Sequence, residues 1–141
     1  MNSDLAIALH IVGFLTASDG RSLTSETLAS TYGTSPVVVR RILSKLSKAG
    51  LVETRRGSGG GSLLARSSDQ IDLRQVYEAV SENTQLFRRH PGDESGVARV
   101  LADYIDELYA EAEEALMAKL ESVSVKQMDA IVKPRICGRK S

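Results

Sequence analysis

The sequence predicts a mainly α-helical fold with one small β-hairpin and one long helix. Apolar residues make up 42% of the chain, but aromatic residues only 4%, and tryptophan is absent. The core must therefore consist mostly of aliphatic side chains, which recur at helical spacing over most of the sequence. The one clear interruption is the glycine-rich run "RRGSGGGSLLAR", Arg55 to Arg66, which lies between two short apolar runs and predicts a hairpin.

Two helices are predicted within the first 32 residues. Residues 4–17 place apolar side chains three and four apart and end near Asp19-Gly20. A second, short helix over 25–32 is indicated because Thr24 or Ser25 can cap its start and Gly33 can end it.

A third helix follows directly after the sequence "YGTS". Ser35 is a good N-cap, Pro36 suits the first helical position, and Gly50 ends the segment. An apolar stripe is predicted to face the core, and the basic residues lie off that stripe; its members are Val39, Ile42, Leu43 and Leu46. Two short helices joined by a tight turn form a helix-turn-helix pattern.

The glycine-rich run favours a hairpin over a linker or a nucleotide-binding loop. Only seven residues, Gly57 to Leu63, separate two apolar runs, which suits a hairpin better than a linker. A phosphate-binding P-loop needs Lys-Ser or Lys-Thr after its last glycine, and here Ser62-Leu63 follow instead. The dinucleotide-binding fingerprint fails as well, because Ser62 stands where its third glycine belongs. A helix-turn-helix followed by a hairpin is a winged helix-turn-helix.

The second half of the chain predicts one short, one long and one further short helix. Asp72 caps "LRQVYEAV", residues 96–121 form a long helical segment, and Ser124 with Gln127 forms a capping-box signature before 125–132. We therefore expect a winged helix-turn-helix domain over 1–80, a connecting loop over 81–95, a dimerisation helix and short C-terminal helix over 96–132, and a disordered basic tail over 133–141.

The long helix is predicted to pack on a second copy of the chain. Its length exceeds what so small a domain needs for its own core, and its opposite face is acidic. The alternative is a long helix that covers its own domain. The residues expected at the dimer interface are Leu101, Tyr104, Ile105, Leu108, Ala112 and Leu116.

Charge is distributed unevenly along a chain of zero net charge. Residues 1–66 contain eight Lys or Arg against four Asp or Glu, whereas residues 67–132 contain six against fourteen. A basic front joined to an acidic rear indicates a polyanionic partner on one side. No apolar run reaches the roughly 18 residues of a membrane span, no signal peptide is recognisable, and Cys137 is the only cysteine, so we expect a cytoplasmic protein.

The segment "SKAGLVETRRGSGGGSLLAR…IDLRQVYEAV" resembles the Rrf-two family of bacterial winged-helix regulators. The shared features are "GLV", "RG-x-GG" followed by "LAR", and "I-x-L-x-x-V", and the likeness extends from the first helix to about residue 121. The resemblance implies a homodimeric transcription factor, commonly a repressor, that binds a palindromic site in double-stranded DNA. It also implies a recognition helix in the major groove and a wing arginine in the minor groove, which by position is Arg56.

The chain departs from many family members at the cluster-binding segment. Those members hold an iron–sulfur cluster through three cysteines, and residues 81–103 contain none. We therefore expect no cofactor and no metal. The loop that replaces the cluster segment is a candidate region for a small-molecule or protein effector, on position alone, and its candidate residues are Phe87, Arg88 and Arg89. A plain solvated connector is the alternative.

Candidate DNA contacts lie on the two short helices and on the hairpin. Arg40 is predicted to contact guanine, Val37 or Val38 thymine methyl groups, and Arg41 and Lys45 phosphates. Both valines could instead be buried. The full set of candidate residues is Thr24, Ser25, Ser35, Val37, Val38, Arg40, Arg41, Ser44, Lys45, Lys48, Arg55, Arg56, Gly57, Ser58, Gly59 and Gly60. The glycines are predicted to let the backbone approach DNA closely.

The sequence offers little for other functions. No nucleophile lies near a plausible base, which argues against an enzyme. A protein-interaction module without specific DNA binding is the alternative function. His10 is expected to be structural and His90 solvated. Cys137 lies between Arg135 and Arg139 and could be a redox thiol, although an incidental residue is the simpler interpretation.

Overall fold

A computed structural model describes residues 3–81 and 96–137 of the chain. It contains, in order, α1 (Ser3–Ala17), α2 (Ser25–Tyr32), α3 (Pro36–Lys48), β1 (Val52–Arg55), β2 (Gly61–Leu64), α4 (Leu73–Val80), α5 (Val97–Glu121) and α6 (Val125–Cys137). A short 3-10 turn, Ser68–Gln70, precedes α4. The predicted fold class, mainly helical with one small antiparallel hairpin in a winged helix-turn-helix, is confirmed.

The helix boundaries follow from local side-chain chemistry. The Thr24 hydroxyl accepts a hydrogen bond from the Thr27 backbone N–H, and the Ser35 hydroxyl accepts one from Val38. Each hydroxyl thereby satisfies one of the N–H groups that the first turn of a helix leaves without a partner. Gly33 ends α2, and its N–H donates to the carbonyl of Ala29 at 2.8 Å. The predicted starts of α2 and α3 are confirmed.

One aliphatic core joins α1 to the helix-turn-helix and to the helices that follow it. The predicted inner stripe of α3 is buried, with Val39, Ile42 and Leu46 fully enclosed. From α1, Ile11 and Val12 pack in the same cluster, which also contains residues of α4 and the first residue of α6. Burial of this apolar surface is the main stabilising contribution to the fold.

Capping boxes begin both α4 and α6, and a backbone hydrogen bond joins the two helix starts. Asp72 caps α4 and exchanges hydrogen bonds with Gln75, and Ser124 and Gln127 do the same at the start of α6. Between the two caps, the N–H of Leu73 donates to the carbonyl of Val123 at 2.9 Å. The predicted capping box at Ser124 is confirmed, and it positions α6 beside α1.

The C-terminal boundary predicted from the sequence is wrong. Helix α6 does not end near residue 132 but continues to Cys137, with Pro134 inside it, so residues 133–137 are not a disordered tail. Proline removes one backbone donor and usually breaks a helix, yet α6 continues through Pro134. In the described part of the chain, no helix has the length and hydrophobicity to cross a membrane.

Candidate nucleic-acid interface

The outer face of α3 carries a row of exposed residues opposite the buried stripe. Val37, Arg40, Arg41, Ser44 and Lys48 are all exposed. They recur three and four residues apart, which places them along one side of the helix. The structure also separates the two valines: the exposed fraction of Val37 is 69%, whereas Val38 packs in part against the core. Val37 is therefore the valine that can touch a base.

Arg40 is held by an acid from the preceding helix. Its guanidinium donates to a carboxylate oxygen of Glu26 at 3.1 Å, and both side chains are more than half exposed. Glu26 lies in the first turn of α2, where backbone N–H groups and Arg40 together lower the pKa of its carboxyl. The ion pair joins α2 to the outer face of α3 but leaves Arg40 accessible from solvent.

Asp4, at the start of α1, pairs with Arg41 and Lys45, the two cations of α3 that are predicted to contact phosphates. Both Arg41 nitrogens donate to its carboxylate, at 2.7 and 3.0 Å, and the Lys45 ammonium donates at 3.4 Å. Arg41 is the largest cause of the lowered pKa of Asp4, and Lys45 adds to it. The Asp4 side chain is 19% exposed, against 49% for Arg41, so the acid lies beneath the guanidinium rather than out in solvent.

The hydroxyls of Thr24 and Ser35, which are predicted to contact phosphates, cap helices in this structure. The Thr24 hydroxyl accepts from the Thr27 N–H at 3.1 Å and lies 2.9 Å from the Thr27 hydroxyl. The Ser35 hydroxyl accepts from the Val38 N–H at 3.4 Å. Ser25 is half-buried at the first position of α2. Capping explains these residue types without DNA, although helix starts also suit an anion because of their exposed N–H groups.

The hairpin leaves the body directly at the end of α3. The N–H of Leu51 donates to the Leu46 carbonyl at 3.0 Å, and β1 then pairs antiparallel with β2 so that Arg55 faces Gly61. Arg55, Arg56 and the tip residues Gly57, Ser58 and Gly59 are exposed, and Gly60 is half-exposed. Arg55 also lies 3.5 Å from a carboxylate oxygen of Glu53 on its own strand.

The hairpin is fixed to the turn between α1 and α2. Leu23 and Ser62 exchange two backbone hydrogen bonds, at 2.8 and 2.9 Å, and the Ser22 hydroxyl donates to the Gly59 carbonyl at 3.0 Å. Leu23 thus extends the two-stranded sheet by one antiparallel bridge. The hairpin that carries Arg56 is consequently anchored to the α1–α2 turn at Ser62 and at Gly59.

Packing inside the protein explains two of the glycines. A Cβ atom on Gly60 would lie 2.5 Å from the Arg55 carbonyl oxygen, and one on Gly61 would lie 2.7 Å from the Leu23 carbonyl oxygen. Both contacts are closer than a side chain allows. The interpretation of these glycines as a means of approaching DNA is therefore unnecessary for Gly60 and Gly61, because the turn and its contact with Leu23 already require them.

Sequence reasoning missed the acids that organise the cations. Asp4 and Glu26 were each explicable as a favourable charge in the first turn of a helix, and only the folded chain shows that they reach Arg41, Lys45 and Arg40. Asp4 and Arg41 are 37 residues apart in sequence. The absence of other acids from residues 5–18 is the one signal that could have drawn attention to Asp4.

Comparison with known proteins assigns this arrangement to a family. The model of the Rrf2 family, described as an iron-dependent transcriptional regulator, matches residues 1–130. The chain belongs to the Rrf2 family. The resemblance seen in the hairpin and the α4 motif is thereby confirmed, and with it the conclusion that the chain is a DNA-binding transcriptional regulator and not an enzyme.

Individual relatives agree with the family assignment. YwnA of Bacillus subtilis, named as an HTH-type transcriptional regulator, is 35% identical over 130 residues, which cover 91% of this chain and 96% of YwnA. The regulator IscR of Cereibacter sphaeroides is 38% identical over 60 residues, 43% of this chain and 39% of that protein. The structure of CymR, the global cysteine regulator of B. subtilis, has a TM-score of 0.73 at 20% identity, covers 93% and 96% of the two chains, and shows the shared fold.

The family description includes iron, and the donor set of this chain does not fit an iron–sulfur cluster. Such clusters take several thiolate ligands, and the only cysteine of the 141 residues is Cys137, on α6. Among residues 3–81 and 96–137, no group of three or more His, Cys, Asp or Glu side chains could hold a metal ion. No step of the function is therefore assigned to a cluster.

The predicted effector region lies outside the described residues. This concerns Phe87, Arg88 and Arg89, and also His90. His10 is described: its ring contacts Tyr32 edge-on at 4.6 Å between centroids, and its Nδ1 lies 3.1 Å from the Ala6 carbonyl oxygen. These contacts agree with a structural role for His10.

Proposed function

We propose that the chain is a homodimeric, sequence-specific repressor that works without an iron–sulfur cluster. The observation that carries the proposal is the exposed outer face of α3 beside a hairpin that is anchored to the body and presents Arg55 and Arg56. A helix inserted in the major groove and a basic hairpin beside it are the two contacts by which winged helices bind duplex DNA.

The candidate DNA-contacting residues of α3 divide into three roles. Val37 is uncharged and at the N-terminal end of the helix, so it suits contact with a thymine methyl group, and Arg40 suits guanine. Arg41, Lys45 and Lys48 suit phosphates, with Ser44 between them, and the N-terminal ends of α2 and α3 offer backbone N–H groups at Thr24, Ser25 and Ser35.

The hairpin supplies a separate contact. Arg56 is exposed directly after β1, Ser22 bonds the tip at Gly59, and Leu23 bonds Ser62 at the base of the tip. A cation on a preformed tip loses little conformational freedom when it enters a groove. The narrow minor groove of A·T-rich DNA, where the negative potential is greatest, is therefore the expected target of Arg56.

The proposed homodimer is supported by the exposed apolar residues of α5. None of its residues is buried in a single copy of the chain, and Leu101, Tyr104 and Leu108 remain 46–59% exposed. A two-fold dimer would bring two recognition helices onto one duplex and would require a palindromic operator. Repression then results from occupation of a promoter, in the cytoplasm where the chromosome lies.

The proposal is tested by fluorescence anisotropy with operator fragments selected from the genome of the source organism. Arg56→Ala should weaken operator binding by about 1–3 kcal/mol and lose preference for A·T-rich flanks. The matched control is Arg66→Ala, which removes the same charge beyond the other end of the hairpin and should leave that preference intact. Equal effects of the two substitutions would contradict the minor-groove role of Arg56, and the absence of any selected site would contradict specific recognition.

A further inference from the structure

The segment between α1 and α2 touches both of the elements that are proposed to bind DNA. At one end, the Ser22 hydroxyl donates to the Gly59 carbonyl of the hairpin tip at 3.0 Å. At the other end, the Glu26 carboxylate accepts from Arg40, on the outer face of α3, at 3.1 Å. Residues 21–26, the bridging segment, thus join the hairpin tip to the proposed recognition helix.

The position of the bridging segment decides which part of a bound duplex it meets. With α3 in the major groove and the hairpin in the adjacent minor groove, one sugar–phosphate strand runs between the two elements. The backbone from Ser22 to Glu26 spans at most about 14 Å over four residue steps. The centres of neighbouring grooves are about 17 Å apart, which is half of one helical turn. The strand that separates the two grooves must therefore pass over the bridging segment.

The bridging segment begins with an isolated cation. Arg21 is the only lysine or arginine among the first 39 residues, and it is exposed. Within residues 3–81 and 96–137, three cations of α3 and Arg55 pair with acids, whereas none of the acids there pairs with Arg21. Its guanidinium can therefore bind an anion without first giving up a carboxylate.

The backbone of Arg21 is fixed by Ser18, directly after α1. The N–H of Arg21 donates to the Ser18 carbonyl at 3.1 Å, and the carbonyl of Arg21 accepts from the Ser18 hydroxyl at 2.9 Å. A backbone that is ordered before binding reduces the entropy that the contact costs. Because both bonds use main-chain atoms of Arg21, its side chain can be replaced without removing either of them.

We propose that Arg21 binds a phosphate of the DNA strand that lies between the major groove occupied by α3 and the minor groove occupied by the hairpin. The proposal rests on the proposed function and adds a contact that belongs to neither reading element. Thr24 and Ser25 follow in the same segment and suit the next phosphate of that strand. The contact reads no base, but it fixes how the helix and the hairpin sit on the duplex.

Substitution of Arg21 should change affinity without changing sequence preference. Arg21→Ala removes one phosphate contact, so the slope of log K against log salt concentration should become shallower by about 0.9, and the loss of operator affinity should be about 3.5 times larger at 50 mM than at 200 mM salt. The ratio of operator to random-duplex affinity should change by less than about twofold, because both duplexes offer the phosphate. Arg21→Lys should restore most of the slope, since lysine also binds phosphate, as a point charge.

The measurement is fluorescence anisotropy with the selected operator and a random duplex, and circular dichroism confirms the fold of each variant. Lys126→Ala is the control, because it removes one exposed cation of α6, outside the proposed interface, and should leave the slope unchanged. Operator duplexes with single uncharged methylphosphonates then locate the phosphate. At the phosphate that Arg21 binds, the effects of the methylphosphonate and of Arg21→Ala should not add, whereas at other contacted phosphates they should add.

The outcomes separate this proposal from the one on which it rests. If the unsubstituted protein binds no duplex, the proposed function fails and the Arg21 contact fails with it. If it binds the operator specifically and Arg21→Ala has the same slope as Lys126→Ala, Arg21 does not bind phosphate although the proposed function stands. A loss of preference for the operator in Arg21→Ala would mean that Arg21 reads a base, which also contradicts the proposal.

Discussion

Replacing Asp4 by asparagine tests whether the Asp4 carboxylate competes with DNA for Arg41 and Lys45 of α3, the proposed recognition helix. In the free protein one carboxylate holds two cations of α3, with both Arg41 nitrogens and the Lys45 ammonium within 3.4 Å. DNA phosphates must compete with this carboxylate for the same groups. Asp4→Asn keeps the size and the hydrogen-bonding oxygen of the side chain but removes its charge, so we expect tighter binding to DNA of arbitrary sequence.

The size of the effect follows from counting charges. The substitution makes one further positive charge of α3 available to phosphate, and each phosphate contact contributes about 0.9 to the slope of log K against log salt concentration. The gain in affinity should therefore be about 3.5 times larger at 50 mM than at 200 mM salt. Folding stability should fall by no more than about 1 kcal/mol, because the pair is only partly enclosed.

The assay is fluorescence anisotropy with a random-sequence duplex at several salt concentrations, repeated with the operator. Asp69→Asn is the control, since it removes the same charge from an exposed residue of the turn before α4. We expect the Asp4 variant to gain a similar binding free energy on random DNA and on the operator, because Arg41 and Lys45 are assigned to phosphates, which both duplexes offer. An unchanged salt slope, or a gain equal to that of Asp69→Asn, would refute the idea that Asp4 withholds charge from DNA.

Two further predictions concern stability. Gly61→Ala should lower the free energy of unfolding by about 1–3 kcal/mol, because its Cβ would meet the Leu23 carbonyl oxygen at 2.7 Å and its φ of 152° disfavours a side chain. Gly13→Ala is the comparison and should be neutral or stabilising, because the nearest atom to its Cβ would be 3.6 Å away. Urea denaturation measures the free energy of unfolding of both variants. The lowered pKa of Asp4 means that its ion pairs stabilise the fold at pH values above the ordinary carboxyl pKa and lose this contribution as pH falls through the lowered pKa. The difference in stability between the unsubstituted protein and Asp4→Asn should thus be constant near neutral pH and shrink below about pH 4, and constancy down to pH 2 would contradict it.

The elements that could be predicted from sequence are those fixed by local chemistry. The caps at Thr24, Ser35 and Ser124 and the buried stripe of α3 each depend on residues within a few positions of one another, and the structure confirms them. The predicted end of α6 near residue 132 was wrong, because the helix continues through Pro134 to Cys137 although proline usually ends a helix.

Features that depend on distant residues could not be predicted in this way. Asp4 reaches α3 across 37 positions, and the contact of Leu23 with Ser62 that explains Gly61 joins the α1–α2 turn to the hairpin. Both arise only when α1 packs against the rest of the domain. All the predicted dimer-interface residues remain predictions, because one copy of the chain shows only that α5 has no buried residues; they are Leu101, Tyr104, Ile105, Leu108, Ala112 and Leu116.

Under the proposed function, two acids next to the candidate DNA-contacting face of α3 control the charge that this face offers to DNA. Glu26 holds Arg40, and Asp4 holds Arg41 and Lys45, so three of the cations of α3 are paired before DNA arrives. Ion pairs this exposed are worth at most about 1 kcal/mol each, so phosphates and guanine edges can replace them at small cost. Random DNA offers only phosphates in return, whereas a matching site also offers base contacts to Val37 and Arg40. The acids therefore weaken every complex by a similar amount but leave the largest remaining affinity to the correct sequence.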